Sequence, residues 1–110
     1  MFKKKLKGFE FEQKCIVSNM ISVGGWKVGY MYREKPSIKD DSGWRFFKGN
    51  EDESFTENAD NFRIFTLSSL IDMDDSVVDY LQMNEGTSLI RIENNKFIID
   101  DKEKEIFMTK

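Results

Sequence analysis

Residues 28–47, VGYMYREKPSIKDDSGWRFF, hold two of the three Tyr, one of the two Trp, two of the ten Phe and the only Pro of a 110-residue chain. Val28, Tyr30 and Tyr32 alternate with Gly29, Met31 and Arg33, the two-residue period of a half-buried strand, which predicts β structure over 28–34. Lys35-Pro36-Ser37 interrupts any ladder, because Pro has no N–H to donate and restrains the residue before it. Asp40-Asp41-Ser42-Gly43 is turn chemistry: Asx side chains bond to nearby backbone, and Gly takes positive φ without strain. Trp44–Phe47 then resumes the aromatic content as a second strand. Two strands joined by a long polar loop are the expectation.

A chain of this length is expected to be one domain, burying roughly 65 % of its unfolded surface. Aromatic residues make up 14 % of it, enough for an ordered core beside a charged fraction of 34 %. The net charge of −3 conceals segregation. Residues 1–39 carry nine Lys and Arg against three Asp and Glu, residues 40–85 three against twelve, and residues 86–110 five against five. An acidic middle argues against nucleic acid as a partner, which needs a contiguous basic footprint. It suits electrostatic attraction of a basic one, or simply keeps the surface soluble.

Cys15 is the only cysteine, so no internal disulfide and no CxxC metal site can form, and its place in Cys15-Ile16-Val17 predicts a buried small apolar residue. Lys3-Lys4-Lys5-Leu6-Lys7 is not followed by the apolar run of a signal peptide, and no stretch is long enough to span a membrane. A cytoplasmic location is expected.

Outward from the opening stretch, residues 1–13 read as a charged arm, with Phe9 and Phe11 at strand spacing, and Cys15–Ser18 as a short strand. Gly24-Gly25 marks a hairpin or loop; a phosphate loop is excluded, since a strand follows where a helix N-terminus is required. Residues 49–60 form a polar loop with room for one helical turn. Asn50, Asp52 and Ser54 start a calcium-loop spacing that fails at Phe55, where Gly is needed, and at Asn61, where a bidentate Glu is needed; a register begun at Asp72 fails at Val77. Phe62–Phe65 reads as a strand and Leu67–Ile71 as a helical turn. Asp75 or Ser76 is expected to cap a helix over 77–82, with Asp79 closing a capping box, and Val77 and Leu81 to face the sheet together. Ser88–Glu93 and Lys96–Asp100 around Asn94-Asn95 read as a hairpin, because Asn tolerates the left-handed turn positions. Residues 101–110 read as a charged tail. The sum is an α+β domain over 14–100, an antiparallel or mixed twisted sheet with short helices from about 67–82 on one face.

The chain has no His, which removes the usual general base, the Ser–His and Cys–His nucleophile pairs and the commonest zinc ligand. No cofactor or metal is expected. An enzyme would require a cleft gathering Tyr32, Glu34 and Asp41 with a strongly shifted carboxylate. What stands out instead is an aromatic, Arg-rich set of the kind that dominates binding surfaces. Tyr32, Arg33, Glu34, Asp41 and Arg45, with the acidic run Glu51, Asp52 and Glu53, are the candidate partner-binding residues. Tyr30, Tyr32, Trp44 and Phe46 either fill the core or join that surface. If these aromatics are core, alternation puts Arg33 and Arg45 on the outer face.

The segments Val28–Glu34 and Asp41–Phe47, followed by Gly49, Glu51-Asp52-Glu53, Asn58-Ala59-Asp60-Asn61, Ile64 and Asp72–Leu81, resemble a family of predicted immunity proteins of bacterial polymorphic toxin systems. It is the thirty-third of that numbered series, formerly described as a bacterial domain of unknown function. The likeness covers roughly residues 14–100. It implies an α+β fold and a non-catalytic protein that neutralises a toxin by binding it, with no catalytic residue to carry over. The acidic middle then fits a basic toxin, such as a nuclease whose substrate groove an acidic loop occupies. The alternative is an accessory domain that binds a peptide or metabolite through the Tyr30–Arg45 surface. Neither reading fixes the oligomeric state.

Overall fold

The computed structural model describes residues 11–100. The expected Lys-rich arm falls largely outside the described residues, and the charged tail wholly so. A six-stranded mixed sheet is built from β1 (Lys14–Ser18), β2 (Tyr30–Arg33), β3 (Asp41–Phe47), β4 (Phe62–Thr66), β5 (Ser88–Glu93) and β6 (Lys96–Ile99), in the order β4-β1-β3-β2-β5-β6. Only β1 and β3 run parallel; the other neighbours are antiparallel. Three short helices, α1 (Asn19–Ser22), α2 (Glu53–Thr56) and α3 (Leu67–Met73), and 3₁₀ turns at Ala59–Asn61 and Asp75–Tyr80 complete an α+β domain.

The core forms on one face of the sheet. Cys15, Val17, Met31, Trp44, Phe46, Leu89 and Phe97 point there, and Leu67, Leu70, Ile71, Val77, Val78 and Leu81 cover them from α3 and the turn after it. Leu67, Leu70 and Ile71 share a helix face because three- and four-residue steps return to it. Val77 and Leu81 are both buried, as their spacing predicts. Trp44 meets its one polar demand by donating Nε1–H to the Leu81 carbonyl at 3.0 Å. Burial pushes the Cys15 thiol up to about 12, with smaller opposing effects of Arg45 and Asp41, so it stays a neutral packing group.

The caps follow from short polar side chains. Ser18 accepts from Met20 N–H at 3.1 Å to start α1, and Thr66 from Ser69 N–H at 3.1 Å to start α3. Asp74, not Asp75 or Ser76, caps the 75–80 turn, accepting from Ser76 N–H at 3.1 Å. The turn is 3₁₀ rather than α, so the expected capping box to Asp79 does not form.

Two glycines set the aromatic stretch. At Gly29 a Cβ would lie 2.0 Å from the Lys48 carbonyl, so only Gly allows the backbones to cross there. Regular alternation starts only at Tyr30, which leaves Val28 and Met31, three residues apart, both wholly buried. Gly43 has φ +89 within β3, where the register of β1 with β3 steps from Lys14↔Asp41 to Ile16↔Arg45. The residues read as a turn are thus divided: Asp40, at φ 60, makes the turn, and Ser42-Gly43 form a bulge inside the strand. Ser42 holds it, donating Oγ–H to the Lys14 carbonyl at 2.7 Å and accepting from Trp44 N–H at 3.1 Å.

At the β6 edge the Phe97 N–H points away from β5 and donates to the Tyr80 hydroxyl at 3.1 Å, with the two rings packed edge to face at 5.1 Å. No helix of the described residues is long and apolar enough to cross a membrane.

Candidate partner-binding face

The β2–β3 pairing brings most of the candidate residues together. Arg45 is only 3 % exposed, and its fork is fully occupied. Nη1 and Nη2 donate to the two Asp41 carboxylate oxygens at 3.0 and 2.8 Å, and Nε donates to Glu34 Oε2 at 2.6 Å. Asp41 also accepts from Ser37 N–H and Gly43 N–H, both at 2.8 Å. One carboxylate therefore ties the 34–41 loop, the bulge and the buried cation into a unit. Burial alone would raise the Asp41 carboxyl; the Arg45 hydrogen bonds and the two amides outweigh it and hold the carboxyl well below the usual range. The Arg45 guanidinium is in turn raised, burial being outweighed by Asp41 and Glu34. The cluster an acid–base enzyme would need is thus present in part. Its buried member, however, is locked ionised in an ion pair, the reverse of a poised acid.

The condition that would put Arg33 on the outer face, core tyrosines, is not met. Met31, rather than Tyr30 and Tyr32, faces the core, so Arg33 shares the Trp44 side, with its guanidinium 5.8 Å from that ring centre. It donates Nε–H to Ser42 O at 2.9 Å and Nη1–H to Met83 O at 2.8 Å, joining the strands to the 80s loop. Burial lowers it from its ordinary value. Arg45 does lie on the outer side, but buried. Glu51 accepts from Lys48 N–H and Gly49 N–H, both at 2.8 Å, and closes the turn after β3. Asp52 caps α2 through Phe55 N–H at 2.8 Å. Glu53 is exposed, as is Glu34, with 48 % of its side chain open despite its ion pair. Tyr32 is half-buried and stacks on Phe47 at 5.7 Å.

The larger feature is the sheet face away from α3. Register places Ile64, Ile16, Arg45 and Tyr32 in one row across β4, β1, β3 and β2, and Phe47, Tyr30, Ile90 and Ile98 in another across β3, β2, β5 and β6. Phe47 contacts Tyr30, Tyr32 and Phe62 at 5.7–5.9 Å, and Phe62 meets Phe55 of α2 at 5.7 Å. Five rings therefore form one cluster, flanked by exposed Ile64, Ile90 and Ile98. Exposed Asp52, Glu53, Glu57 and Asp60 of α2 and the following turn border the Phe55 end. A groove of about 370 Å³ lies against Tyr30 and Phe47, with Gly29, Glu51 and Ile90 in its walls. Apart from this cluster, Trp26 is exposed beneath the Lys48 ammonium, which sits 4.0 Å from its ring centre.

A second ion pair, between Asp74 and Arg91, has no signal in the sequence. Asp74 accepts from Arg91 Nη2 at 2.6 Å and Val28 N–H at 2.9 Å. Its carboxyl is lowered, Ser76, Val28 and Arg91 outweighing burial. Arg91 also donates to the Val28 and Asn94 carbonyls, linking the hairpin to the start of β2. The two partners are 17 residues apart with no periodic relation, so only the fold brings them together.

Among the described residues no group of three or more His, Cys, Asp or Glu side chains is placed to hold a metal ion. Neither curated proteins nor solved structures give a match to this chain. The family model described as the immunity protein Imm33 domain matches residues 15–101, four-fifths of the chain and all six strands but for Lys14, and the protein belongs to that family.

Proposed function

We propose that this is a cytoplasmic, non-catalytic immunity protein that neutralises a toxin by occupying it one-to-one. The domain is proposed to span residues 14–100 between charged segments 1–13 and 101–110, with Phe11 and Gln13 tied to the start of α3 through their carbonyls. The single observation that carries this is the five-ring face with its acidic border, on a sheet cross-linked by the Asp41–Arg45 and Asp74–Arg91 ion pairs. Aromatic anchors supply contact area at little entropic cost, and like-signed rim charges raise the rate of encounter with an oppositely charged partner. The partner is accordingly a basic toxin. Of the candidate residues, Tyr32, Glu34, Asp52 and Glu53 are proposed as contacts, and Arg33, Asp41, Arg45 and Glu51 as the frame that presents them.

The test is co-expression with the toxin encoded beside its gene, followed by association kinetics on the purified pair. The chain restores growth, and Glu53→Lys with Glu57→Lys slows association by about tenfold at low salt and far less at high salt. An on-rate indifferent to both salt and the reversal removes the basic partner. A failure to restore growth removes neutralisation. The groove beside Tyr30 and Phe47 favours a second reading, an accessory domain that binds a peptide or metabolite there. A housekeeping operon around the gene, in place of a toxin reading frame, supports that one.

A further inference from the structure

We infer that two copies of this chain pair antiparallel through the outer edge of β4, about a two-fold axis at Ile64, joining their sheets into one. The two edges of the sheet are unlike. At β6 the outward Phe97 N–H is taken by the Tyr80 hydroxyl, and Lys96 stands beside it. An edge so treated resists further strands. At β4 the central residue, Ile64, is 55 % exposed, and no described residue pairs with the strand on that side.

A count of backbone groups selects the register. Leu67 N–H donates to Gln13 O, so Arg63 and Phe65 direct their backbone groups to β1, and Phe62, Ile64 and Thr66 direct theirs outward. Two of these outward groups are already used. Phe62 N–H donates to Ala59 O, and Thr66 is the cap of α3, whose carbonyl begins the helix ladder. What remains is Phe62 C=O, Ile64 N–H, Ile64 C=O and Thr66 N–H. A two-fold at Ile64 pairs all of them: Ile64 exchanges both bonds with its copy, and each Thr66 N–H meets the other chain's Phe62 C=O.

The side chains agree with a second copy better than with a basic partner. Arg63 is exposed and makes no ion pair among the described residues, so a basic strand laid here would meet like charge. In the self-pairing Arg63 lies opposite the copy's Phe65, a cation beside a ring, and no like charges face each other. Ile64 meets Ile64 on the aromatic face, so the apolar surface runs on across the junction.

The full chain is measured by sedimentation equilibrium from about 5 to 500 µM. The expected result is a monomer–dimer equilibrium, weakened at least about tenfold by Ile64→Pro, which removes one outward N–H and leaves the β1 ladder intact. Near-ultraviolet circular dichroism shows whether that variant keeps its core. Register is read from mild oxidation of Ile64→Cys. Opposed residues of a hydrogen-bonded pair sit about 5.5 Å apart at Cα, within disulfide reach, so it cross-links to itself. Arg63→Cys, displaced from its own copy by two residues, does not. A wild-type chain that stays monomeric over the whole range overturns the inference. So does a dimer unaffected by Ile64→Pro, or equal cross-linking of the two cysteine variants.

Discussion

A guanidinium as enclosed as that of Arg45 must be matched group by group, and three of its N–H groups are matched by carboxylates. Such a pair adds little stability over an apolar pair of the same shape, but removing one member strands the other. Asp41→Asn is therefore expected to cost about 3 kcal/mol, read from the shift of the urea midpoint. The variant also tests a pH dependence. Asp41 is lowered in the folded state, so its contribution is complete above the unfolded value of about 4 and is lost as pH falls below it. Asp74 and Glu51 are lowered as well and add to the same acid limb, in Glu51 because the Ser18 hydroxyl and the Lys48 and Gly49 amides outweigh burial. Wild-type stability should fall steeply below about pH 4, and Asp41→Asn should flatten that fall. These pairings were not legible in the sequence beyond their neighbourhood. Residue types and turn chemistry marked Glu34, Asp41 and Arg45 as a set, whereas burial, which turns them from contacts into frame, depends on the strands around them.

At the scale of the elements, the strands with clear alternation and the Asn94-Asn95 hairpin were legible, because side-chain period and turn chemistry are local. The bulge was half legible. Asp-Ser-Gly signals a chain reversal, and the same conformational freedom that makes a turn also lets β3 hold two extra residues against β1. Which side the tyrosines, and with them Arg33, would take was left open for a related reason: a period of two cannot be carried through Gly29, where the backbone of Lys48 intrudes. Gly43 gives the test at this scale. A Cβ there would stand 2.2 Å from the Glu34 carbonyl on a backbone of positive φ, so Gly43→Ala is expected to cost about 2–3 kcal/mol, seen as a lowered Tm. The same change is expected to loosen the 34–41 loop, because Gly43 N–H is one of the donors that fix Asp41.

For the whole molecule, the order β4-β1-β3-β2-β5-β6 places the first strand inside the sheet, flanked by partners that come later in the chain. Strand order was not legible, since pairing between distant segments leaves no local mark. Nor was the full open face: Tyr30 and Tyr32 were marked as either core or surface, but Phe47, Phe55 and Phe62 join them only when register and α2 bring the rings into one cluster. The hydroxyl of Tyr80 has a wider consequence. Two chains joined at β4 would form a sheet whose two ends are both β6, and a sheet with sticky ends grows without limit. On that pairing, the phenol that occupies the Phe97 N–H is one of the features expected to keep the particle finite. Tyr80→Phe keeps the ring against Phe97 and removes only the acceptor, and it should convert a solution of constant light scattering into one whose scattering rises with time and concentration.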